Sequence, residues 1–199
     1  MIKINDVYSI IKGSDDPLSC DVAIIDGNNY AYIFEAGAND SIADELNSID
    51  KNKVIIISHF HQDHLMNVNK LKYKKLYIGD HTYKYTRTGD IVDDLNIDDG
   101  VRLHLFKLTN SHCKGSIGMI IDDYCFIGDA LAPTFVDNNY AYNVQKLKEE
   151  IDILTGLNYK YIVSSHSMDK PELREAVLER LNMIYLNREK NNPYIKAGE

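Results

Sequence analysis

Short runs of β-branched and aromatic residues, separated by turn-forming residues, dominate the first third of the chain. Runs of this kind predict β-strands, and here they are Val7–Lys12, Val22–Asp26, Tyr30–Glu35 and Lys53–Ser58. The stretches DDP and DGNN between the first three supply turn signals. The last strand contains the continuous apolar run VIII. Such a run is typical of a strand that is buried on both faces.

The same pattern returns farther along the chain. The predicted strands there are Lys75–Ile78, Arg102–Leu108, Ile117–Ile121, Tyr124–Ile127 and Tyr159–Ser164. In the second of these, Leu103 and Leu105 alternate with His104, as in a strand that buries one face. The pair Asp122-Asp123 separates two of the strands and predicts a hairpin turn.

Three segments place apolar residues at the three- and four-residue spacing of an amphipathic helix. They cover about residues 40–50, residues 143–155, and a C-terminal segment opened by the capping-box-like Asp169-x-x-Glu172. Their apolar faces contain Ile42, Leu46 and Ile49, then Val144, Leu147, Ile151 and Leu154, then Leu173, Val177, Leu181 and Ile184. Strands come in runs with helices between them, which favours an α+β fold with two packed sheets and helices outside.

Length and net charge limit the number of domains and the classes of partner that fit the chain. The 199 residues suffice for one large domain or two very small ones, and the hydrophobic fraction of 44% is that of a globular protein. Thirty acidic residues against 22 basic ones give a net charge of −8. Because proteins that bind nucleic acids carry a basic surface, a nucleic-acid partner is disfavoured.

Cysteine usage and the N-terminal segment bear on the compartment. Cys20, Cys113 and Cys125 form no CxxC pair and leave one thiol over in any disulfide scheme, which favours a reducing compartment. The first residues lack the basic leader and apolar stretch of a secretory signal. No segment reaches the length of a membrane-spanning helix. We therefore expect a cytoplasmic protein with no membrane partner.

Three of the seven histidines lie in the stretch SHFHQDHLMN, residues 58–67, directly after a predicted strand. Imidazole and carboxylate groups are the ligands that zinc and related divalent metals take. In an extended segment residues two apart point to the same side, so His59 and His61 can bind one ion. If the chain turns helical at Asp63, that carboxylate and His64 point elsewhere and can hold a second ion.

Three more donors follow predicted strands, namely His112 in TNSHCKGS, Asp129 in FIGDAL and His166 in IVSSHS. Each alone is more typical of a hydrogen-bonded polar residue than of a ligand. The HxHxDH run is different, because crowded titratable side chains repel one another when charged unless a cation is bound. His81 and His104 receive no role. Cys113 is predicted to be a small buried residue, since neighbours on an extended chain point apart.

The four motifs HFHQDH, HCKGS, IGDAL and SSHS occur in that order and together resemble the metallo-β-lactamase-fold superfamily of hydrolases. The resemblance extends over nearly the whole chain. It implies a single domain over residues 1–199 with an αββα four-layer sandwich and a metal site at the edge of the two sheets.

Carried over by position, the resemblance also implies a ligand set. His59, His61 and His112 would bind the first metal, Asp63, His64 and His166 the second, and Asp129 would bridge them. Two zinc ions per chain are expected, with iron or manganese as alternatives. Asp63 would also be catalytic, by orienting the hydroxide and relaying a proton to the leaving group.

The chain departs from the family pattern at two positions. Glu35, in FEAG, stands where an aspartate usually supports the metal loop, which puts that supporting role in question. Asn67 stands where a glycine is common, three residues after the last histidine of the first motif, and this change affects no ligand.

The resemblance implies a hydrolase that uses a metal-bound hydroxide, and the chain's features favour a small ester, thioester or lactone as substrate. Flavin-linked di-iron relatives carry a glutamate at the position of His61, lactamases are exported, and glutathione-thioester hydrolases add a helical domain. Three alternatives stay open: a mononuclear iron sulfur dioxygenase, a phosphodiesterase or nuclease of the same superfamily, and a non-catalytic metal-binding module.

Two aromatic segments, residues 132–142 and 81–86, are expected near the pocket, either against a small-molecule substrate or, slightly favoured, as core or lid packing. The sequence does not fix the oligomeric state.

Overall fold

The computed structural model describes residues 1–109 and 111–197. Its strands, in chain order, are β1 (Ile2–Lys3), β2 (Ser9–Ile11), β3 (Ser14–Asp15), β4 (Leu18–Ser19), β5 (Val22–Asp26), β6 (Tyr30–Phe34), β7 (Asn52–Ile57), β8 (Lys75–Ile78), β9 (Asp90–Ile91), β10 (Asp94–Asp98), β11 (Arg102–Lys107), β12 (Ile117–Ile121), β13 (Tyr124–Phe126), β14 (Thr134–Val136), β15 (Asn139–Asn143), β16 (Tyr161–Val163), β17 (Glu172–Leu173) and β18 (Tyr194–Lys196).

The helices are α1 (Asp40–Ser48), α2 (Gln62–Leu65), α3 (Tyr83–Thr86), α4 (Val144–Gly156) and α5 (Arg174–Leu186), and a 3₁₀ helix (Met66–Lys70) follows α2 directly. No helix of the described residues is both long enough and apolar enough to cross a membrane.

Two large sheets form the centre of the fold. The first has the order β1-β2-β5-β6-β7-β8-β9 and the second the order β10-β11-β12-β13-β16-β17. Strands β6, β7, β8 and β9 run parallel, and so do β13 and β16, whereas the other neighbours in these sheets are antiparallel. Parallel neighbours end at the same edge of a sheet, which brings the segments after β7, β13 and β16 toward one side.

Apolar side chains fill three layers. Between the sheets, residues such as Phe34, Ile56 and Phe126 form one core. Outside the first sheet, alternate residues of β6 and β7 pack on α1. Outside the second sheet, β13 and β16 pack on α4 and α5. Helix, sheet, sheet and helix therefore form the four layers that the motif resemblance implies.

The C-terminal helix begins later than the capping-box pattern predicts. Residues Glu172 and Leu173 form β17, which pairs with β16, and α5 starts at Arg174 without a side-chain cap. The Glu172 carboxylate instead accepts hydrogen bonds from both Arg180 guanidinium nitrogens, at 2.7 and 3.2 Å. The prediction of a helix opening at Asp169 is wrong, because pairing with β16 uses the backbone that the helix would need.

The aromatic segment 132–142 is not a plain loop. It folds into the β14–β15 hairpin, and β18 adds a third strand to it. The turn residues Asp137 and Asn138 both have positive φ, 48° and 63°, as a two-residue hairpin turn with right-handed strand twist requires. Strand β14 has three residues, too few for the alternation of apolar and polar residues that would predict a strand.

Candidate metal centre

Four chain segments meet at one edge of the two sheets. They follow β7, β11, β13 and β16 and carry, respectively, the HFHQDH motif, His112, Asp129 and His166. Close backbone packing holds the two sheets together here: Ile117 N donates to Ser58 O at 2.9 Å. Gly128, with φ 59°, lies so near Ser58 that a Cβ on it would be 2.4 Å from Ser58 Oγ. Only glycine fits there, one residue before Asp129.

The first group of donors contains His59, His61 and His112, and their ring nitrogens could hold one ion. His61 Nδ1 lies 3.0 Å from His59 Nε2 and 3.2 Å from His112 Nε2. Zinc–nitrogen bonds of about 2.0–2.1 Å in a tetrahedron separate the ligand atoms by about 3.3 Å. The three nitrogens are therefore spaced as the corners of a metal tetrahedron.

The second group contains Asp63, His64, Asp129 and His166. Asp63 Oδ2 lies 3.3 Å from His64 Nε2 and 3.2 Å from His166 Nε2. Asp129 Oδ2 lies 3.3 Å from His64 Nε2 and 3.5 Å from His166 Nε2. These separations again match those of ligand atoms around one divalent ion.

Asp129 links the two groups. Its Oδ2 atom, which belongs to the second group, is also 3.9 Å from His112 Nε2 of the first. A carboxylate oxygen between two clusters is placed to contact an ion on either side. The structure thus brings the seven predicted donors together at one edge of the sheets in two neighbouring groups, and Glu35 with His59 and His64 forms a third set of close donor atoms.

The histidines of the first group are held neutral. Burial lowers the pKa of His59 to about 2, and His64 and the other nearby imidazoles add to the effect. Burial also lowers the pKa of His61 and of His112. A neutral imidazole presents the lone pair that a metal requires, so this group is ready to bind at neutral pH.

The second group carries balanced charges. Burial opposes ionisation of Asp63 and Asp129, yet hydrogen bonds from His166 and His64 hold the pKa of both carboxyls well below the usual range. Those bonds to Asp129 and Asp63 raise the pKa of His166 to about 9. Burial opposes protonation of His64, but the surrounding acidic groups raise its pKa well above the ordinary value. The protonated imidazoles supply positive charge to this pair of carboxylates, and a divalent cation that displaced their protons could take the same place.

Glu35 supports the centre from behind. It is fully buried with φ 73°, a left-handed conformation that is uncommon for glutamate. Its Oε1 lies 3.1 Å from His64 Nδ1 and accepts a hydrogen bond from Ser165 Oγ at 2.9 Å. Its Oε2 accepts from Ser58 N at 3.2 Å. Glu35 therefore contacts a candidate ligand histidine and the backbone of the motif, which is the supporting place expected of the aspartate in this position.

Other supporting residues were not predicted. Ser58 Oγ lies 2.8 Å from His59 Nδ1, which leaves His59 Nε2 facing the other donors of the first group. Asp21 holds the His166 segment, because its backbone N donates to Ser165 O at 2.8 Å and its carboxylate accepts from Met168 N at 3.0 Å. Ser58 ends a predicted strand beside the motif, which is a usable signal, whereas nothing in the sequence marks Asp21.

Asn67, at the position where a glycine is common, also has a defined role. It is fully buried, and its Nδ2 donates to Ala36 O at 3.1 Å and to Asn39 O at 2.8 Å. These bonds tie the 3₁₀ helix after the first motif to the segment that follows Glu35.

Segment 81–86 lies beside the first group. The ring of Phe60 is 5.3 Å from that of His61, and the ring of Tyr85 stacks on Phe60 at 4.4 Å with an interplanar angle of 6°. His81 also contacts Phe60, with ring centroids 5.4 Å apart. Tyr85 is 54% exposed. These rings form an aromatic border next to the candidate metal ligands.

The remaining candidates belong to neither donor group. His104 pairs with Asp94 at 2.7 Å on the second sheet, and Cys113 is buried, as predicted. Neither belongs to a group that could hold a metal among the described residues. Phe135 and Tyr140 contact each other on the β14–β15 hairpin and are 65% and 61% exposed.

No family model and no curated protein matches the chain. Solved structures do. A flavo-di-iron protein mutant from Thermotoga maritima gives a TM-score of 0.65 at 10% identity and covers 92% of this chain, which spans 62% of that protein. An archaeal metallo-β-lactamase superfamily protein from Sulfolobus tokodaii gives a TM-score of 0.60 at 17% identity, and the match covers 97% of this chain and 91% of that protein. The metallo-β-lactamase SMB-1 bound to 2-mercaptoethanesulfonate gives a TM-score of 0.67 at 12% identity, and the match covers 94% of this chain and 96% of that protein. The chain has the metallo-β-lactamase fold.

Proposed function

We propose that the protein is a binuclear, zinc-dependent metallo-hydrolase that cleaves a small ester, thioester or lactone. The observation that carries this proposal is the pair of donor groups linked by Asp129 Oδ2, which lies 3.3 Å from His64 Nε2 and 3.9 Å from His112 Nε2. The nitrogen-rich first group suits zinc, and a carboxylate between two groups suits a two-metal site.

In this proposal His59, His61 and His112 hold the first ion, and Asp63, His64 and His166 hold the second, with Asp129 shared. Bound divalent metals supply an activated water molecule and polarise the substrate's carbonyl oxygen. The donors come from segments fixed by Glu35, Ser58 and Asp21. The chain thus holds its ligand atoms in place before any ion arrives, which limits the reorganisation that binding requires.

Asp63 has a second part in the proposed reaction. Its side chain is 16% exposed, whereas that of His64 behind it is fully buried. Burial opposes its ionisation, but hydrogen bonds from His166 and His64 hold its pKa below the ordinary value, so the carboxylate is ionised at neutral pH and able to accept a hydrogen bond. In the proposed reaction an ionised carboxylate at this position would orient the nucleophilic water and relay a proton from it to the leaving group.

The substrate would approach from the side of His166, whose side chain is 40% exposed. The Phe60–Tyr85 stack borders the other side of the first group. An apolar border favours an uncharged acyl group over a phosphodiester. The net charge of −8 also disfavours a polyanionic substrate.

The metal content is the first test. We expect the purified protein to contain about two divalent metals per chain, with zinc the more abundant, because all donors required by a two-metal site are present. Elemental analysis of protein prepared without added metal provides the measurement. One iron per chain with no second metal would replace the proposal with the mononuclear dioxygenase.

A substrate screen tests the reaction class. Thioesters, lactones, a chromogenic β-lactam, a bis-aryl phosphodiester and a structured RNA are compared at the same enzyme concentration, and acyl hydrolysis is expected to be the fastest. RNA cleavage that exceeds every acyl activity and weakens with salt would contradict the proposal, because salt weakens charge-driven binding to nucleic acid.

A further inference from the structure

One buried acid lies outside the centre described above. Glu150 lies on the buried face of α4, together with the apolar residues Leu147, Ile151 and Leu154. It is fully buried although it is an acid. Burial raises the pKa of its carboxyl to about 7. A carboxyl group in such a place reduces stability unless its hydrogen bonds compensate, so its contacts indicate what it does.

Within residues 1–109 and 111–197, the side-chain hydrogen bonds of Glu150 go to the segment that precedes His112. Glu150 Oε2 accepts from Thr109 N at 3.0 Å and forms a short hydrogen bond with Thr109 Oγ1. Ser111 Oγ lies 3.3 Å from the same oxygen. Among the described residues Oε1 has no partner. The carboxyl group therefore binds the backbone and hydroxyl of Thr109 and contacts the hydroxyl of Ser111, just before a candidate metal ligand.

The same contacts reach a second ligand segment. Ser111 Oγ donates to Ala130 O at 2.6 Å, and Ala130 directly follows Asp129. The chain from Glu150 through Ser111 thus connects α4 to the segments that carry His112 and Asp129. These are the two ligands through which the donor groups approach each other, 3.9 Å apart.

We propose that Glu150 is a positioning residue of the metal centre, which fixes His112 and Asp129 through Thr109 and Ser111. It is the counterpart of Glu35, which binds the segments of His59 and His166 from the first sheet. Two buried acids, Glu35 after β6 of the first sheet and Glu150 in α4 outside the second sheet, then hold the four ligand-bearing segments. The inference rests on the metal site of the proposed function, and not on its substrate.

Cobalt binding to the metal-free protein tests this role. Co²⁺ is titrated into the wild type and Glu150→Ala, and its affinity, stoichiometry and visible absorption spectrum are recorded. We expect Glu150→Ala to weaken Co²⁺ binding by about 10- to 100-fold, as the loss of a residue that supports a ligand does. Its spectrum should also change, because His112 no longer has a fixed orientation. Glu150→Gln should recover most of the affinity, since its amide oxygen still accepts from Thr109.

Two controls separate positioning from general stability. Leu147→Ala removes a buried side chain one turn earlier in α4 and should lower the melting temperature while leaving Co²⁺ affinity and spectrum unchanged. Glu149→Ala removes the adjacent acid, whose partner is Lys146 at 2.7 Å on the surface, and should change neither property. If Glu150→Ala does not fold, Ser111→Ala takes its place and should weaken Co²⁺ binding in the same way.

The proposal is overturned if Glu150→Ala, or Ser111→Ala in its place, binds Co²⁺ with wild-type affinity and spectrum, or if Leu147→Ala weakens binding equally. A wild type that binds no Co²⁺ would overturn both this inference and the proposed function. A wild type that binds two ions but hydrolyses no acyl substrate would count only against the proposed function.

Discussion

Asp63→Ala is expected to lower turnover on any accepted substrate by at least about 100-fold while leaving a folded protein. Under the proposed function the variant loses a metal ligand and the group that relays the proton, and proton transfer alone contributes about 10² to 10⁴. The fold should survive because the side chain lies at the exposed side of the cluster. Its backbone contact, Cys20 N to Asp63 O at 3.1 Å, is kept by alanine. Steady-state kinetics and far-UV circular dichroism of wild type and variant provide the measurement.

His61→Ala should have a similar effect, because His61 Nδ1 lies within 3.2 Å of both other donors of the first group. His104→Ala is the matched control: this histidine belongs to none of the donor groups found among the described residues and pairs with Asp94. We expect it to keep wild-type turnover. Near-normal turnover of Asp63→Ala or His61→Ala would show that the assigned roles are wrong.

The seven candidate donors could be singled out from the sequence because each follows a strand or lies in one compact motif. Their pairing into two groups needed the resemblance, since spacing along the chain does not show that segments following β11, β13 and β16 end at the same edge. The parallel pairing of β13 with β16, in which Cys125 lies opposite Ile162, produces that result. No local pattern encodes such a contact between residues far apart in sequence.

The buried position of Glu150 could have been predicted from the helical pattern of residues 143–155. The predicted apolar face of residues 143–155 includes Leu147, Ile151 and Leu154. Position 150 is three residues after the first and four before the last, so it lies on that face and not on the charged one. A glutamate there is a signal for a buried acid with a partner. The identity of that partner, Thr109, depends on tertiary packing and could not be predicted.

The supporting role of Glu35 illustrates a different limit. The sequence shows a glutamate where an aspartate is usual, and the extra methylene made its contact to the metal loop uncertain. The backbone at Glu35 adopts φ 73°, and its carboxylate reaches His64, Ser165 and Ser58. Residue type does not specify this left-handed backbone conformation, because local energetics disfavour it and the surrounding contacts stabilise it.

Glu150 also makes the stability of the protein depend on pH. Its pKa rises from 4.5, the ordinary value, to about 7 in the folded chain, mainly because of burial. The folded state therefore binds the proton more tightly than the unfolded state. The resulting stabilisation is fully present below pH 4.5, declines between pH 4.5 and about 7, and is lost above that. A difference of this size corresponds to about 3 kcal/mol.

Glu150→Gln should remove this dependence, because glutamine does not titrate. We expect the free energy of unfolding of the variant, minus that of the wild type, to increase by about 3 kcal/mol between pH 4.5 and pH 8. The other ionisable groups facing Glu150 do not interfere: burial raises the pKa of the Cys125 thiol and of the Tyr159 hydroxyl, and Glu149 is present in both proteins. Denaturant unfolding at several pH values, in a chelator so that metal release does not contribute, gives the difference. A difference that stays constant with pH would mean that the carboxyl group titrates normally, and that the contacts with Thr109 and Ser111 offset the effect of its burial.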